Sequence, residues 1–336
     1  MDERQLLVNN LWHYTTLEGL SGILESQRLW ATDYRHLNDS SELEHARSIL
    51  EAELFQRVIP VVKKMYNENV EVKKNVDRNG GVEHVAKEET QDTIDILWTA
   101  LMKMGPLFTV PCISSFCLVE INNQYIQRDG LLSQWRGYGV DGGYAVVFNF
   151  SEMLGCFKKE CEDFRYAISG SGDVCYECDN LNKQHDLFNH LNRITTFASK
   201  FYSFRVYGTD KPQPDEHDLE SLAHCLARFK HRGFEEEREY RFFIFAFDDE
   251  KAVKKSAPLE ENDKPLKKIQ NRLCRGTSVP YVKLFETVQR LPIEKIVAGP
   301  HKDKEKRVES LNIYLKGKGL SGIKVDCSEI PYIGHI

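Results

Sequence analysis

Apolar and polar residues alternate along this chain in patterns that predict short strands and amphipathic helices in a scattered order. Residues 240–247 are rich in β-forming aromatic side chains and contain no Gly or Pro, which predicts a central strand buried on both faces. Apolar residues at helical spacing predict helices over 17–24, 41–65, 91–104 and 302–317, with a kink or interruption at Pro60. Further short strands are predicted near 11–15, 28–32, 110–118, 144–148, 271–275, 279–285, 293–298 and 323–327.

These elements together predict an α+β fold. We expect a mixed, mostly antiparallel sheet of roughly six to eight strands, split or curved, with peripheral helices packed outside it. The late strands must complete the sheet that the early strands begin, so the chain is interpreted as a single domain over 1–336. Within it we expect a mobile polar surface insertion at 67–92 that is partly helical at its ends, a mainly helical insertion at 151–230 and a charged linker at 251–269.

The overall composition is that of an ordinary globular protein. The chain has 336 residues, of which 41% are hydrophobic and 29% are charged, and its formal net charge is -6. This charge implies no general attraction to nucleic acid, and no apolar run approaches the roughly 20 residues of a membrane span. The charged start does not resemble a signal peptide, and the nine cysteines are irregularly spaced. We therefore expect a cytoplasmic protein with reduced thiols and no membrane partner.

The clearest chemical signal stands just before the apolar run. Glu237, Glu239 and Arg241 alternate, so on one strand their side chains would share a face. Two carboxylates and a guanidinium at the edge of a core are costly unless they pair or take part in chemistry. One interpretation is a catalytic carboxylate pair, and the other is an ion pair that closes the end of the strand.

A second signal lies at the first strand–helix junction. His13, Tyr14 and Thr15 stand where a strand ends, and Thr15 with Glu18 has the spacing of a capping box. A helix N-terminus suits an anionic ligand because its free N–H groups and its dipole point outward. The simpler alternative is a histidine with a purely structural role.

A third signal is a run of aromatic and polar residues between glycines. Gln134, Trp135, Arg136 and Tyr138 combine rings that can stack on a base with a guanidinium that can hold phosphate. The alternative interpretation is a Trp that fills the core and an Arg that pairs with the acidic strand end.

The cysteine spacing does not predict a metal site. Cys156 and Cys161, and then Cys175 and Cys178, are spaced as zinc ligands can be. The residues around Cys175 alternate as in a strand, however, and no knuckle glycine or proline accompanies the second pair. We expect no metal.

The motifs in their order resemble a bacterial family, domain-of-unknown-function family 2971. The resemblance rests on short motifs that span nearly the whole chain: 13–15 with 20–24, 37–39 with Glu42, 115–116, 132–138, 237–241 and 296–300. A second resemblance, to ADP-ribosyltransferase-like folds, rests on His13 and Thr15 at the first strand end and on the late pair Glu237 and Glu239.

The second resemblance implies roles for individual residues. His13 would hold the ribose of NAD, and Glu239 or Glu237 would stabilise the oxocarbenium-like centre, with Glu237 positioning or deprotonating the acceptor. The pyrophosphate would bind Arg136 and the helix start after Thr15. Three aromatic residues are the candidates for stacking on nicotinamide: Tyr34, Trp135 and Tyr138. The other candidate ligand-binding residues are Tyr14, Asn38, Gln134 and Arg241. Asn38 also suits a turn.

The resulting expectation is an ADP-ribosyltransferase-like enzyme that uses NAD as co-substrate, as a bacterial toxin or anti-phage defence effector. Its acceptor would be a protein or a nucleic acid. A non-catalytic nucleotide sensor or protein-interaction module in a defence or stress system remains an alternative. A nucleotide hydrolase that uses the carboxylate pair is a further alternative.

Overall fold

A ten-stranded mixed sheet forms the centre of the protein in its computed structural model. The structure describes residues 8–37, 42–103, 111–120, 122–176, 185–247, 264–274 and 276–331. The strands are β1 (Val8–Thr15), β2 (Leu29–Asp33), β3 (Cys112–Glu120), β4 (Tyr144–Asn149), β5 (Ile168–Asp173), β6 (Cys175–Tyr176), β7 (Phe229–Lys230), β8 (Glu239–Phe245), β9 (Ile269–Cys274), β10 (Thr277–Leu284), β11 (Ile293–Ala298) and β12 (Lys324–Cys327).

Ten α-helices are present in the described part of the chain. They are α1 (Leu17–Ser26), α2 (Glu42–Glu68), α3 (Val70–Arg78), α4 (Val82–Lys103), α5 (Gln124–Asp129), α6 (Leu132–Tyr138), α7 (Phe150–Asp163), α8 (Leu187–Tyr207), α9 (Glu216–Arg228) and α10 (Lys304–Gly317). In the large sheet β11 and β12 pair in parallel and the other pairs are antiparallel. The predicted α+β class with a mostly antiparallel sheet is therefore confirmed.

The sheet is split at β3. The main path runs β12-β11-β4-β1-β3-β2-β10-β9, and β8 pairs with β3 and carries β5 on its other side. Cys117 pairs with both Trp12 of β1 and Glu239 of β8, so β1 and β8 lie on opposite edges of β3. Cys112 pairs with both Asp33 of β2 and Ile244 of β8 in the same way. Strands β1 and β2 therefore share one edge of β3 and separate from each other along it.

The two faces of the sheet carry different cores. One face buries Phe116, Phe242 and Leu284 against α1, α7 and α10. The other face packs Ile113 and Phe243 against the long helices α2, α4, α8 and α9. The prediction that the aromatic run forms a strand buried on both faces is confirmed, since every residue of β8 is buried.

Helices fill the segment that was expected to be a polar insertion. Residues 67–92 form the end of α2, all of α3 and the first half of α4. Val72 and Val76 of α3 are fully buried in the helical core, so their apolar stripe outweighs the polar composition of the segment. Helix α2 continues through Pro60, and the predicted interruption there is wrong. Pro60 is exposed, so the ring that disturbs the helix does not enter the core.

The segment 151–230 does more than insert helices. It contains α7, α8 and α9, but it also supplies β5, which extends the large sheet beyond β8. β5 contains two glycines, and its side chains are only partly buried, so apolar periodicity did not indicate it. Most of the predicted linker at 251–269 lies outside the described residues, and Ile269 already belongs to β9.

None of the described helices combines the length and hydropathy that a membrane span requires. Among the described residues seven cysteines lie outside disulfides, whereas Cys175 is disulfide-bonded, so the expectation of reduced thiols is wrong at that position.

Candidate functional site

The two candidate catalytic carboxylates stand on different elements. Glu239 opens β8, but Glu237 ends a 3-10 helix at Arg232–Glu237. Between them Arg238 adopts a left-handed conformation with φ of 43°, which turns the chain from the helix into the strand. The prediction that Glu237, Glu239 and Arg241 share one strand face is therefore wrong for Glu237. It holds for the other two residues.

A single lysine nevertheless joins the two carboxylates. Lys230 in β7 donates from Nζ to Glu237 Oε2 at 2.7 Å and to Glu239 Oε2 at 3.0 Å. The same ammonium group lies 4.7 Å from the ring centroid of Phe234. Lys230 is buried, so its charge is compensated by the two carboxylates rather than by bulk water.

A buried arginine extends the network on the other side. Arg241 donates from Nη2 to Glu239 at 2.9 Å and also to Glu42, the first residue of α2. Its Nη1 donates to the carbonyl of Ala227 at 2.8 Å. Glu42, Glu239 and Arg241 are all buried. We call Lys230, Glu237, Glu239, Arg241 and Glu42 the charged network.

The network separates the pKa values of its two candidate catalytic groups. Burial alone would raise the pKa of Glu239, but the positive charges of Arg241 and Lys230 outweigh it and lower the pKa to about 2. Burial raises the pKa of Glu237, and the negative charge of Glu239 adds to this, while Lys230 offsets part of it. Divergent pKa values in neighbouring carboxyl groups are typical of pairs with different roles in acid–base chemistry.

Three hydrogen bonds position the Glu239 end of the network. Ser115 of β3 donates a side-chain hydrogen bond to the Glu239 carboxylate. The backbone N–H of Glu239 donates to the hydroxyl of Tyr176 at 2.8 Å, and its carbonyl accepts from Val174 at 2.9 Å. Both the backbone and the side chain of Glu239 are thus held by neighbouring strands.

His13 lies where β1 leaves β3. Its Nδ1 is 3.1 Å from the carbonyl oxygen of Ser115, and its ring lies 5.6 Å from that of Phe116. A carbonyl can only accept, so Nδ1 carries the proton and a neutral His13 keeps Nε2 as an acceptor. Burial lowers the pKa of His13, and the positive charge of Arg272 lowers it further.

The ladder places His13 and Glu239 on opposite faces of the sheet. Trp12 and Glu239 both pair with Cys117, so those three side chains share a face and His13 points to the other one. His13 and Glu239 both contact Ser115, however, the first at its carbonyl and the second at its hydroxyl. They are therefore close neighbours across the thickness of the sheet.

Other predicted ligand-binding residues form part of the core. Trp135 is fully buried and donates from Nε1 to the carbonyl of Asp129 at 2.8 Å. The Tyr14 ring packs edge-on against Trp135 at 4.7 Å, and its hydroxyl accepts from the backbone of Leu131. Gln134 is buried as well. The Trp135 and Tyr14 rings thus hold α6 on β1, which is the structural interpretation of this motif.

The remaining predicted residues lie around the network or outside the described chain. Arg136 and Tyr138 are on α6, which packs against β1 and contacts the 3-10 helix that ends at Glu237. Thr15 ends β1, but the residue that caps α1 is Thr16, one position later than predicted. Tyr34 follows β2 and is partly buried against the helical core. Asn38 lies outside the described residues.

Sequence analysis missed two residues of the charged network, Lys230 and Glu42, and the serine that contacts it, Ser115. Lys230 comes directly after a predicted helix, in which only apolar residues such as Leu226 and Phe229 were used as evidence. Glu42 was noted only as part of a capping motif, and Ser115 only as part of a family motif. These residues lie 7 to 199 positions from their partners in the chain, so no local spacing could indicate the contacts.

One group in the described residues has ligand atoms close enough for a metal ion. Asp186, His190 and His224 each offer one atom, and these atoms lie within 4.8 Å of one another. Arg228 already donates two hydrogen bonds of 2.6 Å to Asp186, and its Nη1 is 3.4 Å from His224 Nδ1. This buried guanidinium occupies the cation position between the carboxylate and the imidazole, so we assign no metal to the group.

Two surface depressions in the described part of the protein lie away from the charged network. One runs along α10 and reaches Cys327 of β12, and the other lies at the end of α8 beside Pro212. Neither contains a residue of the charged network or His13.

The comparisons with known proteins add a family match. A family model described as "Protein of unknown function (DUF2971)" matches residues 134–242. This region contains the α6 motif from Gln134 onward and both candidate carboxylates, and it confirms the resemblance to that family that the motifs indicated. No curated protein and no solved structure matches the chain.

Proposed function

We propose that this protein is an ADP-ribosyltransferase-like enzyme that uses NAD, with Glu239 and Glu237 as its catalytic carboxylates. The observation that carries the proposal is the arrangement of these two carboxylates on one lysine, Lys230, with pKa values shifted in opposite directions. This arrangement provides one carboxylate that the neighbouring cations keep ionised and one whose raised pKa makes it the better proton acceptor.

The chemistry of glycosidic cleavage matches these two groups. When nicotinamide leaves NAD, positive charge develops on the ribose, and an ionised carboxylate fixed nearby stabilises it. Glu239 would supply that charge, because its low pKa keeps it ionised. Glu237, whose pKa is raised, would accept the proton of the acceptor nucleophile as it attacks the ribose.

His13 has a supporting role in this proposal. Its Nδ1–H is committed to the carbonyl of Ser115, which orients the ring and leaves Nε2 as an acceptor for a ribose hydroxyl. The split between β1 and β2 would give the ligand access to both His13 and Glu239. The site of action in this proposal is the bacterial cytoplasm, where a toxin or defence effector would find a protein or nucleic-acid acceptor; seven of the eight described cysteines lie outside disulfides, and Cys175 is the exception.

The experiment is a nicotinamide-release assay with NAD, combined with detection of ADP-ribose on acceptors in a bacterial extract. We expect Glu237→Gln to reduce the rate by about 10²- to 10⁴-fold, as loss of a general base does, with little change in Tm. The matched control is Glu235→Gln on the same 3-10 helix, where Glu235 is exposed and lies 3.7 Å from the exposed Arg232. This control should retain full activity.

A second candidate function is a non-catalytic nucleotide sensor or interaction module. The observation that favours it is that Lys230, Arg241 and Ser115 already satisfy the buried carboxylate of Glu239. Calorimetric titration with NAD separates the two functions. Saturable binding that needs His13, without nicotinamide release, would support the sensor and overturn the transferase. Release of free ADP-ribose without any modified acceptor would instead indicate the carboxylate-based hydrolase.

A further inference from the structure

We infer that the partly exposed sheet face around Trp30, formed by β2, β10 and β9, binds the phosphate and base of a nucleotide, with Arg272 as the partner of the phosphate. This inference names a ligand subsite for the proposed function and rests on it for the assignment of NAD as the whole ligand. The residues concerned are Trp30, Thr32, Gln270, Arg272, Tyr281 and Lys283, which we call the basic strip.

The register of the strands places the basic strip on one face. Thr32 pairs with Tyr281, and Tyr281 pairs with Gln270 on its other side. Trp30 pairs with Lys283, two residues from Thr32 and Tyr281 along their strands. Because residues two apart on a strand share a face, all of these side chains lie on the same side of the sheet, and Arg272 lies beside Gln270 on that side.

Arg272 is a cation with no anionic partner among the described residues. Its guanidinium lies 4.9 Å from the ring centroid of Trp30, and its Nη2 is 3.4 Å from the hydroxyl of Thr32. Its Nε is buried and has no hydrogen-bond partner within the described ranges. An arginine whose inner nitrogen is removed from water and left unpaired lacks the bidentate anion that its geometry favours.

Aromatic surface lies next to this cation. Trp30 is 37% exposed, and its ring lies 4.6 Å from that of Tyr281, whose hydroxyl is fixed by Gln270 at 3.1 Å. Lys283 stands opposite Trp30 and adds a second positive charge on the same face. An exposed ring beside an unpaired guanidinium can stack on a base while the guanidinium holds a phosphate.

The basic strip lies on the same face of the sheet as the charged network. Thr32 pairs with Ile113 of β3, and Ser115, the residue that contacts Glu239, is two positions further along that strand, or about 7 Å. Ile113 and Ser115 share a face, and Phe243 and Arg241 are their partners on β8. Between the basic strip and the carboxylates this face is covered by the long helices that pack on Ile113 and Phe243, so the two groups are neighbours in the sheet and do not form one open groove.

The chemistry of the strip favours a nucleotide over a longer polyanion. The protein carries a formal net charge of -6, so its overall field repels a nucleic-acid backbone. Two cations beside one exposed tryptophan suit a single pyrophosphate and one base. ADP therefore contains the part of NAD that this subsite would recognise.

The experiment measures ADP and ADP-ribose binding to the full chain by tryptophan fluorescence and by calorimetry. We expect Arg272→Gln to weaken ADP binding by about tenfold or more, the effect of losing a charge-assisted contact of about 1.4 kcal/mol. Arg272→Lys keeps the charge but loses the planar fork, and it should bind with intermediate affinity. Arg290→Gln is the matched control, because Arg290 is an exposed arginine in the loop after β10.

The remaining measurements make each outcome decisive. ADP should quench the fluorescence of the wild type, and Trp30→Phe should remove most of that quenching, because Trp12 and Trp135 are fully buried and Trp98 lies on α4, outside the basic strip. Equal ADP affinity in Arg272→Gln and Arg290→Gln, or no binding by a folded wild type, would overturn the subsite. Binding that needs Arg272 without nicotinamide release would keep the subsite and overturn the transferase. If Arg272→Gln released nicotinamide with an unchanged KM for NAD, the transferase would be supported and the subsite overturned.

Discussion

His13 and Glu239 contact the same residue from opposite faces of the sheet. His13 donates to the backbone carbonyl of Ser115, and Glu239 accepts from the Ser115 side chain. Ser115 thus connects the split between β1 and β2 with the charged network. Any ligand held by both His13 and Glu239 must pass the edge of β3 at this position.

The first prediction concerns this serine. Ser115→Ala removes a hydrogen bond to an ionised carboxylate, so we expect the free energy of unfolding to fall by about 1.5–3 kcal/mol. Ser114 is the matched control, because its hydroxyl is buried on the other face and has no partner within the described residues. Ser114→Ala should be neutral or slightly stabilising. Denaturant unfolding of both variants checks the difference, and equal losses would contradict the assigned contact.

The second prediction concerns stability in acid. Burial lowers the pKa of His224 to about 3, with contributions from the charges of His190 and Arg228, while Asp186 acts in the opposite direction. Between an unfolded pKa of about 6.5 and this folded value, the unfolded chain binds more protons, so stability is lost as the pH falls. We expect this histidine to contribute a slope of about 1.4 kcal/mol per pH unit within that window.

Unfolding free energies at pH 7, 6 and 5 test the assignment. His224→Gln should reduce the pH slope by about one proton, and His217→Gln should leave it unchanged because His217 is exposed on the same helix. An unchanged slope in His224→Gln would show that this imidazole is not the group that resists protonation.

The third prediction uses two glycines. A Cβ at Gly172 of β5 would collide with the guanidinium of Arg228, which is fixed by Asp186. We expect Gly172→Ala to lower the free energy of unfolding by about 1–3 kcal/mol, since a packed side chain must move.

The control for this change is Gly155, in the interior of α7, where a Cβ would meet no atom within 4 Å. Gly155→Ala should raise stability by about 0.5–1 kcal/mol, because alanine loses less conformational entropy in a helix. Thermal unfolding of both variants gives the comparison. If Gly172→Ala were as stable as the wild type, the close packing of Arg228 on β5 would be wrong.

Local sequence patterns were sufficient to predict several helices and strands. The aromatic run of β8 is buried throughout, as its composition predicted, and the stripe Leu20, Ile23 and Leu24 is buried in α1. Strand β5 was missed because its glycines and serines carry no apolar period. Glu237 was placed on the strand because alternation does not distinguish a strand from the 3-10 turn that precedes it.

The sequence by itself determined the fold class, the burial of β8 and the presence of an acidic pair at its start, since each depends on residues that are neighbours in the chain. Only the tertiary structure decided which charges compensate that pair. Lys230, Glu42 and Ser115 arrive from a short strand, a helix start and a central strand. Their contacts depend on strand register and helix packing, which are set by burial over the whole domain and leave no fixed spacing along the chain.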